Sequence, residues 1–199
     1  MERAEIIKWN SELFQLILRC YAEVTILEEL ERYKSLSPER NKDMIKAAQE
    51  IVEQMDAAMR CDLVMNLWKL YYEPDKNART LFSYRAAMRK FLHENVILVA
   101  IKKRLRKAWI VELGDDICYL RERYMTQLAV PEDMDHLFLQ KVRKLLDNIR
   151  EQFNETCRTE IDEALMPITK AMIKKQQFST TLGLSWMLEN SKVKRDEWE

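Results

Sequence analysis

The sequence predicts an all-α fold, an up-down antiparallel bundle of about five to six helices, and three observations predict it. Gly114 and Gly183 are its two glycines, and Pro38, Pro74, Pro131 and Pro167 its four prolines, whereas a sheet protein needs turn residues every few positions. The rest is rich in Leu, Met, Ala, Glu, Lys and Arg, which lose little side-chain freedom in a helix. Apolar residues recur at steps of three and four over spans far longer than a strand. A chain of 199 residues suffices for one sizeable core and shows no linker, so residues 1–188 are expected to form one domain, with 189–199 a polar end that frays.

The first helix is expected over Arg3 to Tyr33, where Ile6, Trp9, Leu13, Leu16, Cys20, Val24, Leu27 and Leu30 form one face. Ser37 and Pro38 supply an N-cap and a first-turn proline for the second. That helix carries Met44, Ala48, Ile51, Met55, Met59, Leu63, Leu67 and Leu70 to Tyr71 and Tyr72, where Pro74 ends it. A third is expected from Ala78 to His93, with Leu81, Phe82, Ala86, Met88 and Leu92 for packing. Val96 to Ile101 is apolar on all sides, so periodicity leaves open whether this helix continues into a fourth ending near Leu128. Pro131, Glu132 and Asp133 open the next, with acidic residues where the helix dipole favours them. Its stripe is Met134, Phe138, Val142, Leu145, Ile149 and Phe153; Pro167 is expected to stop or kink it, and a shorter segment follows to Leu188. The near-heptad stripes of the first two helices suggest a partly coiled-coil hairpin and a surface for a homodimer.

Basic and acidic residues balance at 33 each, so nucleic acid would have to be held by a local patch. Cys20, Cys61, Cys118 and Cys157 form neither a CxxC pair nor a zinc-spaced set. They read as reduced thiols of a cytoplasmic protein. The N-terminal residues lack a signal-peptide layout, and Val96 to Ile101 is too short to cross a bilayer. Neither a metal site nor a cofactor is expected: no carboxylate array suits two metals, and two glycines cannot build a phosphate loop. The eleven methionines read as core filling, and Trp68, Tyr71 and Tyr72 as core or loop anchors.

Two constellations carry chemistry. Lys102, Lys103, Arg104, Arg106 and Lys107 would attract phosphates, or else form a solvated helix face with Leu105 and Trp109 turned inward. Arg89 and His93, one helical turn apart, are a candidate pair for phosphodiester cleavage, or two ordinary polar side chains. His136 is isolated near a helix start.

Leu67-Trp68-Lys69-Leu70-Tyr71-Tyr72-Glu73-Pro74-Asp75, then Arg79-Thr80-Leu81-Phe82, and later Leu120-Arg121-Glu122-Arg123-Tyr124-Met125-Thr126-Gln127-Leu128 follow one another in an order that resembles the HEPN superfamily. Within it they resemble the AbiU-like branch associated with bacterial abortive infection. There a helix ends in an aromatic-Asp-Pro-like corner, a short helix follows, and a later helix carries an Arg-Asp-Lys-x-x-Ala-His signature. The resemblance covers residues 5 to 155. It implies a metal-independent ribonuclease ancestry, in which an arginine steadies the scissile phosphate and a histidine four to six residues on handles the proton of the 2′-hydroxyl. Arg121 matches the arginine, Glu122 the aspartate, Arg123 the lysine, Thr126 the alanine and Gln127 the histidine. Glutamine cannot exchange a proton near neutral pH.

Three functional readings follow. The first is a catalytically degenerate HEPN-like homodimer that binds RNA, a nucleotide or a protein partner through Arg121, Arg123, Lys103, Arg106 and Lys107 in a defence or toxin–antitoxin setting. The second is a helical interaction module without a nucleic-acid role. In the third, an active ribonuclease uses Arg121 with His93 or His136 in place of Gln127.

Overall fold

The computed structural model describes residues 2–35, 46–71, 80–94, 121–122, 135–157 and 162–190. Among them are five helices and no strand: α1 (Arg3–Ser35), α2 (Lys46–Tyr71), α3 (Leu81–Glu94), α4 (Asp135–Thr156) and α5 (Lys170–Asn190). Arg121 and Glu122 also have helical backbone. The cap expected from Ser37 and Pro38, the Pro74 corner, the 95–120 stretch and the Pro131 start lie outside the described residues.

α1 is 33 residues long without a glycine or proline, and all four other helices pack on it. Ile6, Leu13, Cys20, Val24, Leu27 and Leu30 are buried as expected, but Trp9 and Leu16 are only half-buried. Their places in the core go to Phe14, Ile17 and Tyr21, because α4 and α5 widen the buried face beyond the stripe that α2 alone would cover. Leu63, Val64, Leu67 and Leu70 of α2 complete that side of the core. Among the described residues most of the apolar stripe of these two helices is buried within the one chain, with Trp9, Leu16 and Met59 half-buried at its edge.

Polar contacts set the register of α1 on α2. Asn66 donates to both oxygens of buried Glu23, at 2.9 and 3.2 Å, and Arg19 donates to Glu23 and Asp62. Arg60 is wholly buried and reaches Asp56 in its own helix and Glu31 in α1, each at 3.1 Å. A buried guanidinium needs such partners, since leaving its charge uncompensated would cost several kcal/mol.

α3 starts at Leu81, later than Ala78, because Thr80 is its cap. The Ser83 N–H donates to Thr80 Oγ1 and the Thr80 N–H to Ser83 Oγ, so two backbone donors at the helix start are satisfied reciprocally. That start sets the helix's rotation: Leu81, Tyr84, Ala87 and Met88 are buried, and Ala86, expected inside, is exposed.

α4 buries Leu139, Val142, Leu145, Leu146, Ile149 and Phe153, but ends at Thr156, well before Pro167. Three side chains explain the non-helical course of residues 162–169. Asp162 accepts from the Ala164 N–H at 2.9 Å to close a turn. Asn154 then treats Ile168 as a neighbouring strand would, donating to its carbonyl at 2.8 Å and accepting from its N–H at 2.7 Å. Asn10 accepts from the Met166 N–H at 3.1 Å. These bonds satisfy backbone groups that a helix through this stretch would have paired internally.

The segment expected to be short is α5, 21 residues long and capped by Thr169, whose Oγ accepts from the Met172 N–H. Ile173 and Leu184 bury its inner face, and Arg143 of α4 forms a two-pronged ion pair with Glu28 of α1. Gly183 meets nothing within 4 Å of where a Cβ would stand.

Candidate functional site

The main sequence-predicted residue that the structure describes in full is Arg121. Its side chain is exposed, and its guanidinium carbon lies 4.2 Å from the ring centroid of Trp68, near the end of α2. Trp68 is itself half-buried against the core, so the ring is a fixed platform. Stacking of this kind holds the cation by the ring quadrupole without neutralising it. A guanidinium keeps N–H groups that bind phosphate or carboxylate when it is held over a ring in this way. Among the described residues no carboxylate pairs with Arg121.

Gln127, Arg123 and the run Lys102, Lys103, Arg104, Arg106 and Lys107 lie outside the described residues. His93 falls in the last turn of α3 and His136 in the first turn of α4, by their backbone. Among the described residues no three His, Cys, Asp or Glu side chains converge as metal ligands, and no helix is long and apolar enough to cross a membrane.

Three further places have the composition of a site. Buried Cys157 faces Tyr84 and Asn10, with the Asn10 amide donating to its sulfur at 2.7 Å. Burial pushes this thiol up to about 12 and the Tyr84 hydroxyl higher still, so both are neutral at physiological pH and act as packed polar ties. Glu23 is also raised, by burial first, although Arg19 and Asn66 oppose that rise. Its two oxygens are taken up by those partners, which leaves it no room for proton chemistry.

An open groove of about 510 Å³ runs where α4 meets the start of α5, lined among others by Arg150, Glu151, Asn154, Thr169 and Lys170. Its charges balance, and Arg150 is already engaged by Asp147 at 3.1 Å and Glu151 at 3.7 Å. The Tyr21 hydroxyl donates to the same Asp147 at 2.8 Å. The groove is the seam of the α4–α5 link and no charge there selects a ligand.

The outer face of α5 is different. Phe178, Leu182 and Trp186 follow one another at four-residue steps and are 70%, 60% and 67% exposed. Met172 and Met187 of the same helix are also exposed, which corrects the reading of the methionines as core filling for these two and for Met166; Met88 is buried as expected. Sequence reasoning missed this stripe, although a signal was present: α5 is apolar on two opposite faces, one more than a helix packed on a single neighbour can hide.

Compared with family models, with curated proteins and with solved structures, the chain finds no match.

Proposed function

We propose that this chain is a catalytically inert HEPN-like helical protein that binds RNA or a nucleotide, working as a homodimer in the cytoplasm in a bacterial defence or toxin–antitoxin setting. The observation that carries the reading is Arg121 stacked on Trp68. These two residues come from two of the three segments on which the resemblance rests, and their contact sets a cation, with no carboxylate paired to it among the described residues, over an aromatic ring. Such a pair suits a phosphate beside an unstacked base. Gln127 stands where the family's proton-transferring histidine would, and loss of that step removes about 10²–10⁴-fold of rate. The ligand is therefore held and not cut.

The test is RNA association measured across a salt series. Arg121→Ala is expected to weaken binding and to make the logarithmic salt slope shallower by about one, since one phosphate is no longer neutralised. Lys103→Glu combined with Arg106→Glu is expected to act in the same direction, because both would contribute to the same field. Cutting of single-stranded RNA in the presence of a chelator, abolished by Arg121→Ala, would overturn the inert reading and bring forward His93 and His136. Absence of binding at low salt would favour the second reading, a helical interaction module. One specific observation already supports that alternative, the exposed stripe of α5.

A further inference from the structure

We infer that the Arg121 guanidinium is itself the surface on which this chain holds an unpaired nucleobase, with Trp68 as the residue that positions it, an inference that rests on the RNA-or-nucleotide reading above and names the ligand class. Trp68 stands in α2 beside Leu67 and two residues before Leu70, both fully buried, so the helix cannot turn to swing the ring away without exposing them. The ring is half-buried against the core, and the Arg121 guanidinium carbon lies over it at 4.2 Å from its centroid. Carbon atoms in contact stand about 3.5–4.0 Å apart, so a base lying between ring and cation would need about 7–8 Å. The gap admits no base.

A base therefore has two ways to reach this place. It can push Arg121 aside and take the ring, which gives up the cation–π contact already made and carries the cation away from the phosphate attached to that base. Or it can lie on Arg121, whose side chain is exposed. A guanidinium is planar and delocalised and stacks on aromatic faces, and it is one of the surfaces on which proteins stack splayed RNA bases. The second way keeps the contact with Trp68 and leaves N–H donors for the neighbouring phosphate. The arrangement favours it, because nothing already formed is lost. The ligand class follows from the same geometry. In a duplex each base face is covered by its neighbours, so a single platform serves only a base that is unstacked. Every base has a π-face, so the site separates base from no base and hardly distinguishes among bases.

The experiment measures the affinity of the full chain for three probes at one salt concentration: a short uridylate strand, a ribose-phosphate strand of the same length without bases, and an RNA duplex. The native chain is expected to hold the uridylate roughly five- to hundredfold more tightly than the baseless strand, the effect of one stacked base. Arg121→Lys keeps the charge and removes the plane. It is expected to erase that preference by weakening uridylate binding, without a matching fall for the baseless strand or the duplex. Any loss of two-pronged phosphate contact falls on all three probes alike and cancels in the ratio. Trp68→Phe, which keeps a ring, should retain the preference and Trp68→Leu should lose it. A merely structural role for Trp68 would not produce that contrast, since a ratio of affinities is indifferent to the fraction of chain that is folded.

Equal native affinity for the uridylate and the baseless strand would overturn this inference and leave the RNA-or-nucleotide reading standing as phosphate binding. A preference that survives Arg121→Lys, or a loss for the duplex as large as for the uridylate, would overturn the assignment to the guanidinium. A preference retained in Trp68→Leu would overturn the positioning role. Failure of the native chain to bind any of the three probes at low salt would overturn the RNA-or-nucleotide reading itself, and this inference with it.

Discussion

Single side chains carry much of the link between α4 and α5. Asp162 closes its first turn and at the same time takes a two-pronged contact from Arg3 at the start of α1. The Arg3 guanidinium is the main reason its carboxyl is held down at about 2, with the Ala164 N–H helping. A carboxyl with a depressed folded value stabilises the protein above its unfolded value, about 3.9, and that contribution is lost as pH falls through the folded one. Asp162→Asn keeps the shape and removes the charge. Its melting temperature is expected to fall below the native one at neutral pH, with the difference closing between about pH 4 and pH 2. An equal difference at both ends of that window would show that the charge is not the cause. The sequence displayed Arg3 and Asp162 as ordinary polar residues, since nothing local says that positions so far apart will meet.

At the scale of the element, the unexpected feature is where helices stop. Proline marked a boundary near Pro167, yet α4 ends at Thr156 because Asn154 and Asn10 offer the following backbone better partners than continued helix. Asn154→Leu fills similar space but leaves the Ile168 N–H and carbonyl unpaired, at about 1–3 kcal/mol for each buried group left unsatisfied. We expect a loss of roughly 2–4 kcal/mol by denaturant titration, with faster amide exchange confined to the link and the first turns of α5. An exchange pattern unchanged in that region would rule out the bridging role. The capping of α3 by Thr80 was readable in principle from Thr-x-x-Ser ahead of an apolar run, although the usual signature has a longer side chain at the fourth position.

For the whole molecule, α1 is the common wall against which the other four helices rest. Ile17, near its middle, is completely buried. Ile17→Ala should cost about 2–5 kcal/mol, as deletion of buried methyl groups leaves a cavity that neighbours only partly fill. Since every one of the five described helices shares that wall, unfolding by fluorescence and by circular dichroism should stay coincident in the mutant. Separate transitions for the two probes would show that part of the chain folds without α1.

The sequence by itself determined the helical class, the approximate course of α1 and α2 and the packing face of α4, because periodicity and composition act over one or two turns. It also set apart Trp68 and Arg121, though not that they touch. Tertiary structure decided what depends on neighbours: that Ala86 faces out, that Asn10 and Asn154 end a helix, and that the large apolar side chains most exposed among the described residues belong to α5. A helix with two apolar faces carries no local sign of which will be buried. That choice is made by the shape of α1, which accepts Ile173 and Leu184 and leaves Phe178, Leu182 and Trp186 outside.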